Sequence, residues 1–152
     1  MALVDQAAQA VCLSVGGDVQ GARTVLQRAL GAAPEDPAVL NSVVVAFTQM
    51  DAPAEALQAA RAWLAVAPED PAAKNVTAYL LVRTAGDAKE AVRLATAAAR
   101  LPADPEVLLH LGDALAAHGQ PERAAQAWTT ARALLPLDDH VARALAQRRT
   151  AP

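Results

Sequence analysis

The chain has 152 residues, of which 54% are hydrophobic and 19% charged, with a formal net charge of −3. That apolar share is rich enough for one packed domain and excludes a disordered chain, while the acidic balance without a basic run gives no long-range attraction for a phosphate backbone. Cys12 is the only cysteine, which excludes an internal disulfide or a cysteine metal pair, and leaves a small apolar core residue as its expected role. Alanine makes up about a quarter of the residues and aromatics only 3%, so the expected core is narrow, with helix backbones approaching closely.

Residues 3–15 read as a helix, with Leu3, Val4, Ala7, Ala8, Val11, Cys12 and Val15 recurring at three- and four-residue steps. They lack a basic start, carry Asp5, Gln6 and Gln9, and fall short of a membrane span, so neither a secretory signal nor direct membrane insertion is expected. The default location is the cytoplasm. Gly16-Gly17-Asp18 breaks this helix, and a second from about Gln20 to Ala32 carries Ala22, Val25, Leu26, Ala29 and Leu30 on one face before Pro34. Asp36-Pro37 then starts a new helix, because the aspartate accepts from an orphan amide and proline at the first helical position has no amide to waste. Leu40, Val43, Val44 and Phe47 follow, Asp51-Ala52-Pro53 turns the chain, and Ala56, Leu57, Ala60, Trp63 and Leu64 build the partner helix. Asp70-Pro71 and Asp104-Pro105 begin two further hairpins in the same way.

The punctuation is periodic. Pro34, Pro68, Pro102 and Pro136 stand 34 residues apart, each in an acidic linker, a spacing that marks stacked helix–turn–helix units. The expected architecture is all-α: a single domain over 1–152, with repeats at about 3–36, 37–70, 71–104 and 105–138 and a capping helix at about 139–149. In the third unit the turn glycine, Gly86, lies one residue late, which predicts a short bulge in the first helix or its turn.

These residues resemble the tetratricopeptide repeats across about 136 residues, most clearly in the fourth unit. There Leu108, Leu111, Gly112 and Leu115 fit the first helix, Gly119 the turn, and Ala124, Trp128, Ala131 and Pro136 the second helix and its stop. The first unit places Gln6 and Gln9 where large apolar residues are usual, and in the second Trp63 replaces a small residue and Ala60 a large one. Pentatricopeptide repeats are the nearest confusable family, but they average about 35 residues and carry basic faces. The resemblance implies a right-handed superhelical solenoid of antiparallel helix hairpins whose first helices face a concave groove. In that phase the candidate partner-binding residues are Asn41, Ser42, Val45 and Gln49, then Asn75, Tyr79 and Arg83, then His110 and Asp113. Asparagine amides at 41 and 75 can each give and accept a hydrogen bond with an extended peptide backbone. Ala7, Val11, Ser42, Ala72 and Val76 occupy the places of the family's carboxylate clamp, so binding of a chaperone tail is not implied.

No catalytic constellation is present. His110, His118 and His140 lack the paired spacing of a metal site and read as surface histidines, and the carboxylates at 35/36, 69/70 and 138/139 sit where helix starts need them. Ser14 has no nucleophile-elbow context, and Gly16-Gly17 no phosphate-loop lysine. Trp63 and Trp128 fall at buried spacings. The expectation is therefore a non-enzymatic adaptor without cofactor, metal or nucleic acid, holding a protein segment in its groove. The alternatives are a homo-oligomeric scaffold assembling through Val4, Ala7 and Val11, a secretion-type chaperone, or a regulatory module beside a separate enzyme. Eleven arginines against two lysines, with abundant alanine, point to a GC-rich bacterial genome.

Overall fold

The structure, a computed structural model, describes residues 2–99 and 104–134 together with Ala146. The expected cap over 139–149 therefore lies outside the described residues, apart from Ala146. The described elements are α1 (Leu3–Val15), α2 (Val19–Ala32), α3 (Pro37–Gln49), α4 (Pro53–Val66), α5 (Pro71–Arg83), α6 (Ala88–Ala98), α7 (Pro105–Ala117) and α8 (Pro121–Ala133). Among the described residues there is no strand. The chain divides into two compact units, Met1–Ala73 and Lys74–Pro152.

The acidic linkers start helices as their chemistry requires. Asp36 accepts from the Ala38 amide at 2.8 Å, Asp70 from Ala72 at 2.9 Å and Asp104 from Glu106 at 2.8 Å. In each case proline follows at the first helical position, its fixed φ and missing N–H suiting the one place where no amide bond is lost. Asp18 and Asp87 cap α2 and α6 in the same manner.

The turns inside the hairpins keep the 34-residue register more strictly than the glycines do. Left-handed backbone occurs at Gly17 (φ 93°), Asp51 (φ 51°), Ala85 (φ 51°) and Gly119 (φ 73°). The residue after each closes back on the helix: Asp18 donates to the Leu13 carbonyl, Ala52 to Phe47, Gly86 to Leu81 and Gln120 to Leu115, at 2.8–2.9 Å. The bulge expected in the third unit is absent. Ala85 takes the left-handed position in register, at a cost of roughly 1–2 kcal/mol for an L-residue. Gly86 is glycine for a different reason, since a Cβ there would lie 2.9 Å from Leu81 Cδ2 and 3.3 Å from its carbonyl oxygen. The one-residue delay appears instead at the start of α6, where Asp87 caps.

In the first unit α1 packs on α2 and α3 on α4, with α3 lying against both helices of the first hairpin. The contact surfaces are small residues, Ala10, Ala22, Ala29, Ala56 and Ala60 being fully enclosed, with Leu26, Leu40, Val43, Val44 and Phe47 filling between them. Small side chains at these contacts let the helix backbones approach closely, so that close approach takes the place of bulk. Arg23 reaches from α2 to Glu55 on α4 at 2.7 Å, an exposed pair worth at most about 1 kcal/mol. Trp63 is buried as its spacing predicts, although its indole N–H has no hydrogen-bond partner among the described residues.

In the second unit α7 packs on both α6 and α8. Leu115, Ala124 and Ala127 form a cluster extended by Val92, Leu111 and Trp128, and Leu109 with Ala131 forms another in which Trp128 and Leu108 share. Trp128 is thus the packing residue its position predicts.

Candidate functional site

The first unit carries a cleft of about 470 Å³ between α1 and α3. Ala7 and Ala46, both buried, sit where the two helices come together. The α1 side is aliphatic, presenting Ala8, Val11 and Cys12; the α3 side presents Asn41, Ser42, Val45 and Gln49. Asn41, Val45 and Gln49 are exposed, Val45 by 47%, and form one row at i, i+4 and i+8. Ser42 donates its hydroxyl proton to the Ala38 carbonyl of its own helix at 2.8 Å and so offers the cleft lone pairs rather than a donor.

This cleft brings the expected oligomer face and the expected groove together, as the clamp places of Ala7, Val11 and Ser42 already imply. Ala7 and Val11, the expected oligomer face, line the same depression as Asn41, Ser42, Val45 and Gln49, the expected groove of the second repeat. Val4 lies in α1 with its side chain outside the described residues. Cys12 departs from expectation: its thiol is exposed, because the buried side of α1 runs through Ala7 and Ala10 and leaves Ala8, Cys12 and Val15 outside. Ala8, Cys12 and Ala46 are lining residues that the helical phase of the first helices alone did not select.

The second unit has a cleft of about 500 Å³ between α5 and α7, lined by Tyr79, Val82, Arg83, Asp113, Ala116 and Ala117. Its polar groups are braced. The Arg83 guanidinium donates to the Tyr79 hydroxyl at 3.3 Å and lies 5.8 Å from the centre of its ring, while Trp128 donates its indole N–H to Asp113 at 3.2 Å. Behind them His110 is 9% exposed, its Nδ1 3.1 Å from the Asn75 side-chain oxygen and its ring stacked on Tyr79 with centroids 4.6 Å apart. The reading of His110 as a surface histidine is therefore overturned: α5 covers it with an amide and a ring. Asn75 is half-buried in this contact. His118 is exposed in its turn, and His140 lies outside the described residues.

Gly112 sets the geometry of this cluster. A Cβ there would overlap the Trp128 pyrrole edge, so only glycine lets the indole cross α7 closely enough to reach Asp113.

No protein-family model matches this sequence, and no curated protein is significantly similar to it. Solved structures do match. TTC0263, a thermophilic TPR protein from Thermus thermophilus, is 24% identical over 96% of this chain and 80% of its own, with a TM-score of 0.69. MamA residues 41 to the end from Desulfovibrio magneticus RS-1 is 21% identical over 85% of this chain and 73% of its own, with a TM-score of 0.66. PilF of Pseudomonas aeruginosa is 19% identical over 95% and 69%, with a TM-score of 0.65. The fold is that of the tetratricopeptide repeats. Both clefts lie between the first helices of tetratricopeptide hairpins, α1 with α3 and α5 with α7. Among the described residues no group of three or more histidines, cysteines and carboxylates could hold a metal, and no helix is long and apolar enough to cross a membrane.

Proposed function

We propose that this protein is a non-enzymatic interaction module whose activity is to hold a segment of a partner protein against the first helices of its hairpins. The observation that carries this reading is the α1–α3 cleft, which faces a wall of aliphatic side chains with a row of exposed amides and Val45. Such a surface gives a ligand both area to bury and backbone hydrogen bonds, the two terms from which peptide recognition is built. Arg83 and Asp113 in the second cleft supply charged groups already fixed by Tyr79 and Trp128, which lowers the ordering cost of using them.

Cys12 offers a direct test. A short thiol-directed photo-crosslinker placed on Cys12, the only cysteine, captures the partner in extracts of the source organism, and Val45→Glu abolishes the capture. Equal capture by the Val45→Glu variant refutes the assignment.

A second reading, self-association through α1, is favoured by Val15, which is 85% exposed and continues the outward row of Ala8 and Cys12. Light scattering over a concentration range decides it. A monomer at high micromolar concentration, indifferent to Val11→Glu and Val15→Glu, dismisses it.

A further inference from the structure

Resting on the assignment of the α1–α3 cleft as the partner site, we infer that its ligand is an extended, uncharged segment with an apolar residue at its centre. Three observations carry this. First, among the described residues lining the cleft none is charged, so an acidic or basic ligand side chain would lose water there without gaining a counter-charge. Arg83 and Asp113 line the second cleft, and the first has no charged group of this kind.

Second, the row on α3 has a spacing that a strand can follow. Asn41, Val45 and Gln49 are four residues apart, so their Cα atoms rise by about 6 Å at each step. Alternate residues of an extended chain rise by about 6.6 Å. Over the two steps the mismatch is only about 1 Å, small enough for side chains to absorb. Three alternate positions of one peptide thus face an amide, a valine and an amide in turn.

Third, the chemistry of those positions suits a strand backbone and not a helix. A carboxamide both donates and accepts, matching the N–H and C=O that an extended residue offers side by side, whereas a helical ligand has already used these groups internally. Ser42 has committed its proton to Ala38 and adds an acceptor only. The central apolar residue meets Val45, and the side chains pointing the other way meet Ala8, Val11 and Cys12.

The test is a phage-displayed random decapeptide library selected on the full chain, with the selected peptides then synthesised. Peptide occupancy is read from the rate at which Cys12 reacts with an aromatic disulfide reagent. The inference predicts selected peptides without charged residues in their central five positions. It predicts that they slow Cys12 labelling, and that affinity falls about 3- to 10-fold in each of Asn41→Ala and Gln49→Ala, the loss of one or two hydrogen bonds. Methylation of a backbone nitrogen at one of the two positions facing the amides produces a comparable loss. Peptides that protect Cys12 but are charged at their centre, or that tolerate backbone methylation throughout, overturn the inference and leave the cleft assignment intact. If no selected peptide protects Cys12, both fall. Asn41 and Gln49 are exposed, so loss of fold does not confound these variants, and circular dichroism verifies it.

Discussion

Replacing Gly112 by alanine sets two effects of opposite sign against each other. Alanine is the better helix former by about 1 kcal/mol, and on an open helix surface that gain is realised. Gly31 in α2 is such a site, since a Cβ there meets nothing within 4 Å, and Gly31→Ala is expected to stabilise the chain by up to about 1 kcal/mol. At Gly112 the added methyl overlaps the Trp128 indole. Relieving the overlap costs about 1–3 kcal/mol of repacking, and moving the ring away forfeits its hydrogen bond to Asp113 for about a further 1–2 kcal/mol. After the helix-propensity gain the net loss is about 1–4 kcal/mol, or a fall in Tm of about 2–16 °C for a chain of this size. Urea unfolding followed by circular dichroism measures both variants against wild type. Gly112→Ala at or above wild-type stability would show that the indole does not pack as described.

The strained turn gives a paired prediction: Ala85→Gly stabilises by about 0.5–1 kcal/mol, while Gly119→Ala at the equivalent left-handed position destabilises by about 1 kcal/mol, both read by urea unfolding. Asp36→Ala and Asp104→Ala each lose about 1 kcal/mol as the caps of α3 and α7, with asparagine at either position restoring most of it. Among the tryptophans, Trp128→Phe costs more than Trp63→Phe in the same assay, because only Trp128 surrenders a hydrogen bond. Cys12 in the folded protein reacts with a thiol reagent as fast as in urea; labelling that waits for unfolding contradicts its place on the cleft wall.

What could be read from the sequence was local chemistry. Asp36-Pro37, Asp70-Pro71 and Asp104-Pro105 act within one helical turn, so each start was visible from the residues alone. Hairpin number and period followed from them, and solved structures share the fold. The errors arose where a partner was distant or a residue type stood for a conformation. Burial of His110 depends on Asn75, 35 positions earlier, and on Tyr79, and periodicity within α7 contains neither. Gly86 stands one residue out of the glycine period while the left-handed position stays in register at Ala85, because hydrogen bonding and not residue type fixes it. Cys12 belongs to an apolar run long enough to suggest burial, yet the small crossing residues Ala7 and Ala10 turn the other side of α1 inward.

The central claim is that partner binding is located in the α1–α3 cleft. Its most direct test is the Kd of the captured partner, by calorimetry, for wild type, for Val45→Glu in the cleft, and for Gln27→Glu, which lies on α2 beside a different depression. The prediction is a loss of at least about tenfold for Val45→Glu, from a carboxylate left unpaired against aliphatic side chains, with Gln27→Glu unchanged. Equal affinity for Val45→Glu and wild type, or a loss confined to Gln27→Glu, would place the partner elsewhere.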